Sequence, residues 1–316
     1  MQMIKYLSLL AFFLALSASG GITFTVTDTR GQAVESAFLR LNTAGGPLVV
    51  ATNAEGKAVV EDPFGGSVYA DVYRPGYYTS SGYLWSGGLV TGPGGLLVRR
   101  QPPPAFDIVL KKIRQPAPMR YRSFRGPAPR SESPVGFDLS RMDWVSPHGV
   151  GEFPDLLFRF DHMEQEDGSW SSVMEISFLH GKDGIQSFEA PRPFTYPFGS
   201  NLPPPHEAPL EGYDPQLRLE NSHKAGTPYQ TGVEDPVNYL FRTRTATDEA
   251  GRIVQACYGW IQGQIRYETS AENHPRLQFV YYFNPDPAPE SRSLESYRLV
   301  SLDRKKRPDE RPLGGD

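Results

Sequence analysis

Four carboxylates lie in settings where paired acid and base chemistry is possible: Asp143 next to Trp144, Glu175, Glu189 and Glu268. An enzyme that cleaves glycosidic bonds needs two carboxylates on either side of the scissile bond, and a β-sandwich can hold them on a concave face. However, Glu175 alternates with Met174 and Ile176, which is typical of a side chain that faces solvent. A carbohydrate-active hydrolase or lyase is therefore the alternative hypothesis, and no catalytic residue is assigned.

Aromatic residues in the first third of the chain indicate a different chemistry, the stacking of flat rings on sugar rings. Tyr77, Tyr83 and Trp85 are the candidate ligand-binding residues, and they border a glycine-rich stretch over 81–95. The competing interpretation is that these rings, with Tyr78, cap the end of a hydrophobic core.

One acidic turn could hold a hard cation. It spans 161–167 and contains Asp161, His162, Glu164, Glu166 and Asp167. Calcium takes several oxygen ligands of this kind, although acidic turns are commonly just solvated. The six histidines have no compact ligand spacing, and Cys257 is the only cysteine, so a thiolate zinc site and an internal disulfide are both excluded. We expect no metal site and no cofactor.

Sequence motifs of the common enzyme classes are absent. The chain has no G-x-S-x-G elbow, no H-E-x-x-H, no phosphate-binding G-x-x-x-x-G-K-[ST] and no dinucleotide-binding G-x-G-x-x-G. It also has no H-x-x-E pair of the kind that a metallocarboxypeptidase uses. These absences favour a protein that binds rather than catalyses.

The net charge of the whole chain gives little attraction for polyanions. The chain has 32 Lys and Arg against 36 Asp and Glu, a net charge of -4, so nucleic acid is not an expected partner. A local exception is the basic patch formed by Arg120, Arg122, Arg125 and Arg130. We interpret the patch either as a solvated connector or as a docking site for an acidic partner.

The first twenty residues predict export. Lys5 precedes an apolar run from Leu7 to Leu16, and small residues follow from Ser17 to Gly20. The run is too short to span a bilayer, so residues 1–20 are predicted to be a cleaved secretory signal peptide rather than an anchor or a first helix. With no further apolar segment and no disulfide, we expect a secreted or periplasmic bacterial protein without a membrane span after cleavage.

Residues 21–112 have the pattern of a small β domain. Alternating apolar and polar residues predict strands at 22–28, 37–41, 68–73 and 106–110. Turns are predicted at 29–32, where Gly31 allows a positive φ, and at 53–56. The first two strands are expected to form a hairpin.

This pattern resembles the carboxypeptidase regulatory-like domains, which are prealbumin-like β-sandwiches. The resemblance rests on Val26, Asp28, Gly31, Val34, Ala37, Thr52, Gly56, Gly76 and Tyr77. It implies a seven-stranded sandwich that serves as an accessory, stabilising or display module. It implies no catalytic residue, because the matching positions are turn glycines and core residues.

A proline-rich linker at 113–118 and a second, larger all-β domain at 119–297 are predicted to follow. Antiparallel pairs are expected for 156–160 with 173–179 and for 239–245 with 252–267, and a last strand for 277–283. Gly259 and Gly263 predict a bulge or a close backbone approach. Residues 190–236 are expected to form a long loop, residues 298–316 a disordered tail, and no helix is predicted.

Together these patterns predict an all-β protein in which a prealbumin-like sandwich precedes a second sandwich or jelly roll. The second domain resembles uncharacterised regions of secreted bacterial proteins, which implies no activity. We expect an exported, non-enzymatic protein with an accessory first domain and a second domain that binds a glycan or a protein partner.

Overall fold

A computed structural model describes residues 21–43, 46–61, 68–84, 89–91, 97–99, 105–191, 198–231, 237–269 and 275–306. The protein is all-β, as the sequence predicts, with several sheets and a single helix in these ranges. The predicted signal peptide and Trp85 lie outside the described residues. No helix in the described part is long and apolar enough to cross a membrane.

Two sheets form the first sandwich. The smaller has the order β4-β1-β9, and the larger has the order β16-β6-β5-β2-β3. Their strands are β1 (Ile22–Asp28), β4 (Lys57–Val60), β9 (Ala105–Leu110), β2 (Phe38–Thr43), β3 (Gly46–Ala51), β5 (Val68–Tyr73), β6 (Ser80–Leu84) and β16 (Gly199–Ser200). Two short strands, β7 (Leu89–Thr91) and β8 (Leu97–Arg99), pair with each other. The inward residues of both sheets, such as Phe24, Leu39 and Val72, form one buried core.

The hairpin predicted for the first two strands is wrong. β1 pairs with β4 and β9 in one sheet, whereas β2 pairs with β3 and β5 in the other. The turn between them is present, because the Asp28 carboxylate accepts the N–H groups of Arg30 and Gln32. After that turn the chain crosses to the opposite sheet instead of returning beside β1.

The crossing segment is held by residues on which the resemblance rests. Thr52 Oγ1 accepts the N–H of Ala37 at 2.9 Å and donates to the carbonyl of Val34 at 2.6 Å. Gly56 has φ of 71°, and a Cβ there would overlap the carbonyl oxygen of Val26. The motif therefore marks the place where the strand order departs from a simple hairpin.

The second sandwich also has two sheets. One has the order β10-β22-β20-β19-β15 with β21 paired to β22, and the other has the order β12-β11-β13-β14-β17-β18. The strands of the first are β10 (Arg120–Pro127), β15 (Gly184–Glu189), β19 (Val237–Thr247), β20 (Ile253–Ile261), β21 (Arg266–Glu268) and β22 (Arg276–Asn284). Those of the second are β11 (Val135–Asp138), β12 (Asp143–Trp144), β13 (Leu156–Glu164), β14 (Trp170–Ser177), β17 (Gln216–His223) and β18 (Gln230–Thr231).

Both predicted antiparallel pairs of this domain are confirmed. β13 pairs with β14, and β19 pairs with β20. The turn between β19 and β20 contains Gly251, which has a φ of 74°. Gly259 is a close approach, since a Cβ there would overlap the Phe241 ring and the Tyr282 carbonyl. Gly263 has φ of 68° and separates β20 from β21, which is the predicted bend.

Two expectations for this half of the chain are wrong. The stretch 190–236 is not one long loop, because β17 lies within it and pairs with all of β14. Residues 298–306, expected in a disordered tail, belong to helix α1 (Tyr297–Lys306), and Leu299 is buried. Ser296 caps this helix, since its Oγ accepts the N–H of Arg298. Neither segment has a long apolar pattern of its own, because neighbouring strands and tertiary packing supply most of its burial. The sequence therefore does not indicate β17 or α1.

The two sandwiches pack together over what we call the junction. It is a buried cluster that includes Tyr78 from the first sandwich and Leu202, Trp260, Tyr282 and Leu299 from the rest of the chain. The strand β16 belongs to the predicted second domain but pairs with β6 of the first sandwich.

The predicted linker at 113–118 is ordered against the second domain. The carboxylate of Glu295, which is 1% exposed, accepts the N–H groups of Arg114 and Gln115 and the hydroxyl of Tyr78. The segment is therefore a fixed connection and not a free spacer.

Candidate functional site

A cleft of about 610 Å³ opens in the second sandwich where β10 ends and β22 begins. Its polar lining comes from both sheets and consists of Arg125, Arg266, Arg276, Asn221, Gln264, Gln278, Thr231, Tyr229 and Glu268. The cleft is therefore rich in guanidinium and amide groups, which are planar hydrogen-bonding groups.

Strand register places three arginines close together. Gln278 on β22 lies opposite Arg125 of β10 on one side and Arg266 of β21 on the other. Neighbouring strands are about 4.8 Å apart, so the two arginines flank Gln278 in one row. Arg276 lies two residues from Gln278 on the same face, about 6.8 Å along the strand, opposite Glu268.

These arginines have no partners in the described protein. Within the described ranges, no ion pair or hydrogen bond from another residue reaches the side chain of Arg125, Arg266 or Arg276, and all three are exposed. Glu268 is the one carboxylate among the described lining residues. The lining thus has three positive charges and one negative charge, which makes the cleft a local positive site.

Tyr229 supplies an aromatic surface at the cleft. Its side chain is 54% exposed, and its ring lies 5.7 Å from the ring of Trp170. Trp170 in turn contacts the rings of His162 and His223 at 6.1 and 6.3 Å. The Trp170 ring therefore supports the Tyr229 ring at a tilt of 41°, and about half of the tyrosine is left exposed to a ligand.

Tyr267 ties the two sheets together beneath the cleft. Its hydroxyl donates to the carbonyl oxygens of Ser172 and Leu219 at 2.8 and 2.9 Å. Burial raises the pKa of Tyr267 to about 12, so the hydroxyl stays protonated and keeps both bonds at physiological pH. The spacing of the cleft walls is therefore fixed by a buried hydrogen-bonded side chain.

A smaller cavity of about 190 Å³ includes His162, Thr269 and Arg130 in its lining. The His162 Nδ1 lies 2.8 Å from Ser172 Oγ, which also accepts the hydroxyl of Thr269 at 2.5 Å. Ser172 is only 2% exposed, so this serine and histidine pair cannot present a nucleophile to a substrate. We interpret it as part of the packing around the Trp170 cluster.

Tyr77 and Tyr83, the two described residues among those predicted to bind a ligand, do not form one site. Tyr77 is partly buried against the first core, and Tyr78 is fully buried in the junction. Tyr83 is 44% exposed and packs on Tyr69 at the opposite end of β6 from Tyr77. For Tyr83 the prediction of ligand binding stays open, and for Trp85 the residue lies outside the described ranges.

The four candidate carboxylates are also separate. Asp143 accepts the N–H groups of Trp144 and Val150 at 2.8 Å and so closes a turn. Glu175 forms an ion pair with Arg218 at 3.1 Å, and Glu189 is exposed at the end of β15. Of the four, Glu268 alone lines the cleft.

Metal and thiol chemistry receive no geometric support. In the described parts of the chain, no three His, Cys, Asp or Glu side chains are placed to hold a metal ion, and this includes the 161–167 turn. Burial raises the pKa of Cys257 to about 12, so its thiol is protonated and unreactive at neutral pH.

The sequence singled out Arg125 as part of the basic patch and Glu268 as a candidate carboxylate, but it did not indicate the remaining cleft residues. Arg266 and Glu268 flank the buried Tyr267, and Arg276 and Gln278 flank the buried Leu277. That alternation indicates that each set faces away from the core. It does not indicate that the two sets and Arg125 lie side by side, because this depends on strand register.

No family model matches the chain, and no curated protein matches it. A crystal structure of a candidate carbohydrate-binding protein from Bacteroides uniformis ATCC 8492 is similar over 84% of this chain and 98% of that chain, with 9% identity and a TM-score of 0.19. A TM-score this low does not define a shared fold, so no function is carried over from that protein.

Proposed function

We propose that this chain is an exported, non-catalytic binding protein that holds a carbohydrate in the cleft of its second sandwich. The observation that carries the proposal is the composition of the cleft. It combines an exposed tyrosine ring with amide and guanidinium groups that have few protein partners.

This combination suits a polyhydroxylated ligand. Sugar hydroxyls donate to and accept from planar polar groups, which Gln264 and Gln278 provide, while the apolar face of a sugar ring packs on an aromatic ring such as Tyr229. A volume of about 610 Å³ falls within the usual range for small-molecule sites.

Catalysis is the less favoured function for the same cleft. Glycoside hydrolysis through paired carboxylates needs a second carboxylate about 5 to 9 Å from the first. Glu268 has no such companion among the described lining residues. We therefore propose that the protein retains a glycan without cleaving it.

Export and the role of the first sandwich are parts of the same proposal. The signal-like residues 1–20 support secretion to the periplasm or the exterior, and the Thr52 and Gly56 crossing supports the regulatory-like assignment of residues 21–112. The packing of this sandwich on the junction supports an accessory role that stabilises the binding domain. Detection of Met1 on the secreted protein would contradict signal cleavage.

The test is a glycan-array screen with the full chain, followed by titration of each binding oligosaccharide. We expect Tyr229→Ala to weaken binding by at least about fivefold, because the stacking of a nucleic-acid base on one aromatic ring is worth about 1 to 3 kcal/mol and a sugar ring packs on the same kind of face. Tyr83→Ala is the matched control, since it removes a tyrosine of the first sandwich that is 44% exposed, against 54% for Tyr229.

Loss of binding in Tyr83→Ala with full binding in Tyr229→Ala would move the site to the first sandwich. Release of shorter oligosaccharides during incubation would replace the binding function with the enzymatic alternative. Failure to bind any glycan on the array would contradict the proposal.

A further inference from the structure

We infer that the cleft selects acidic saccharides, meaning saccharides that carry carboxylate or sulfate groups. This inference rests on the proposed glycan-binding function and specifies the class of glycan. It follows from the three arginines, their spacing and their lack of partners.

Several other arginines in the described part of the second half of the chain are paired with carboxylates. Arg244 reaches both oxygens of Asp155 at 2.7 Å, Arg218 contacts Glu175 at 3.1 Å, and Arg292 contacts Glu207 at 2.6 Å. Those pairs account for their charges within the protein. Arg125, Arg266 and Arg276 have no equivalent, although a net charge of -4 gives the chain more carboxylates than cations.

The spacing of the three arginines suits one or two oxyanions. Arg125 and Arg266 flank Gln278, so their Cα atoms are about 9.6 Å apart, and both side chains can converge on a group above the glutamine. A guanidinium group binds a carboxylate or sulfate through two parallel hydrogen bonds, which a lysine cannot do. Arg276 is available for a second contact in the adjacent row.

Glu268 favours a saccharide over a simple anion as the ligand of the cleft. Its carboxylate lies opposite Arg276 in the strand register but makes no ion pair with it. A carboxylate repels anionic groups and accepts hydroxyl donors. The ligand that satisfies the whole cleft therefore has both an anionic group and hydroxyl groups.

A saccharide fits the cleft better than a nucleic acid does. Single-stranded nucleic acids are bound by grooves that follow the backbone with several stacked aromatic rings. Here Tyr229 is the exposed ring among the described lining residues, and the protein as a whole is negative. The net charge therefore adds no long-range attraction for a polyanion, and binding relies on the local charges of the cleft.

The experiment compares matched acidic and neutral oligosaccharides on the full chain by calorimetric titration. The carboxylate set is oligomers of galacturonate and alginate, each paired with its methyl-esterified neutral form, and the sulfate set is sulfated galactan oligomers paired with the desulfated form. We expect at least one acidic oligomer to bind at least about tenfold more tightly than its neutral form. Raising NaCl from about 50 to about 500 mM should weaken acidic binding severalfold and leave neutral binding unchanged.

Variants assign the effect to the cleft. Arg125→Ala, Arg266→Ala and Arg276→Ala should each weaken acidic binding at least about fivefold, because each loses charge-assisted hydrogen bonds to the anionic group. Arg122→Ala is the matched control because Arg122 is exposed on the same strand but does not line the cleft. Glu268→Gln should tighten acidic binding and leave or weaken neutral binding, because it removes the one negative charge.

Equal binding of acidic and neutral forms would overturn this inference and leave the proposed function standing. Binding of no glycan would overturn both. Binding of a ten-residue oligothymidylate through the same arginines, without any glycan binding, would overturn both in favour of a nucleic-acid ligand. If only the sulfated or only the carboxylated set binds, the inference holds and the anionic group is identified.

Discussion

Gly259 is a residue whose small size the fold requires. It lies on β20 between the Phe241 side chain of β19 and the Tyr282 carbonyl of β22, and a Cβ there would overlap both. Backbone atoms cannot move aside as a flexible side chain can, so the strands would have to separate. The glycine allows three strands of the sheet to approach beneath the junction.

We predict that Gly259→Ala lowers the free energy of unfolding by about 1 to 3 kcal/mol, as overpacking in a rigid core does. Urea denaturation followed by tryptophan fluorescence measures the change. Gly181→Ala is the control, since nothing lies within 4 Å of a Cβ there. A loss below about 0.5 kcal/mol in Gly259→Ala, the level of an ordinary surface change, would contradict the close approach.

At the scale of elements, the crossing between β1 and β2 decides the architecture of the first sandwich. Thr52 follows β3 and reaches the crossing segment, where its hydroxyl serves one backbone donor and one backbone acceptor. The hydroxyl is buried, so without it the Ala37 N–H and the Val34 carbonyl lose a partner away from water. One side chain therefore stabilises the connection between the two sheets.

We predict that Thr52→Val, which keeps the shape and removes the hydroxyl, destabilises the protein by about 1 to 3 kcal/mol. Thr25→Val on β1 is the control, because Thr25 is only partly buried on the outward side of its strand. Chemical denaturation of both variants gives the comparison. Equal stabilities of Thr52→Val and the wild type would show that water or another group replaces the hydroxyl.

At the scale of the whole molecule, the two sandwiches form a joined unit at the junction. The chain leaves β9 at Lys111, whose ammonium group donates to the carbonyl oxygens of Pro203 and Pro204 at 3.0 and 2.9 Å. Burial lowers the pKa of Lys111 to about 8. The buried positive charge of Lys111 therefore destabilises the folded protein, and this destabilisation falls as the lysine loses its proton.

This pKa predicts how stability changes with pH. Because the folded pKa of Lys111 is lower than the unfolded value near 10.5, the unfolded chain binds more protons between about pH 8 and pH 10.5. The contribution of Lys111 to stability should therefore rise with pH across that window, by at most about 1.4 kcal/mol per pH unit. Below about pH 8 the contribution should be constant at its lower level.

The test measures the free energy of unfolding of the wild type and of Lys111→Met at about pH 7, 8, 9 and 10, which covers this window. The quantity compared is the difference between the two proteins at each pH. That difference should move in favour of the wild type as pH increases. Lys112→Met is the control, since it removes the neighbouring lysine, whose side chain is exposed. A constant difference for Lys111→Met would contradict the lowered pKa.

The sequence alone determined the all-β class and many of the strands. Alternation at 22–28 and 277–283 reflects one buried and one exposed face, which is a local property of a strand. Gly31 indicated the turn after the first strand because few other residues accept a positive φ. It also indicated Arg125 as part of a basic patch. It did not indicate Arg266 and Arg276, the two arginines later in the chain that line the same cleft.

Only the tertiary structure decided which strands are neighbours and where the cleft lies. Local patterns could not show that β1 pairs with β9 instead of β2, or that β17 completes a sheet within a proline-rich stretch. Arg125 and Arg266 are more than a hundred residues apart in sequence and meet across Gln278 only because β10 and β21 pair with opposite sides of β22. A shift of one residue in either pairing would turn these side chains to the other face, so the cleft is a product of long-range register.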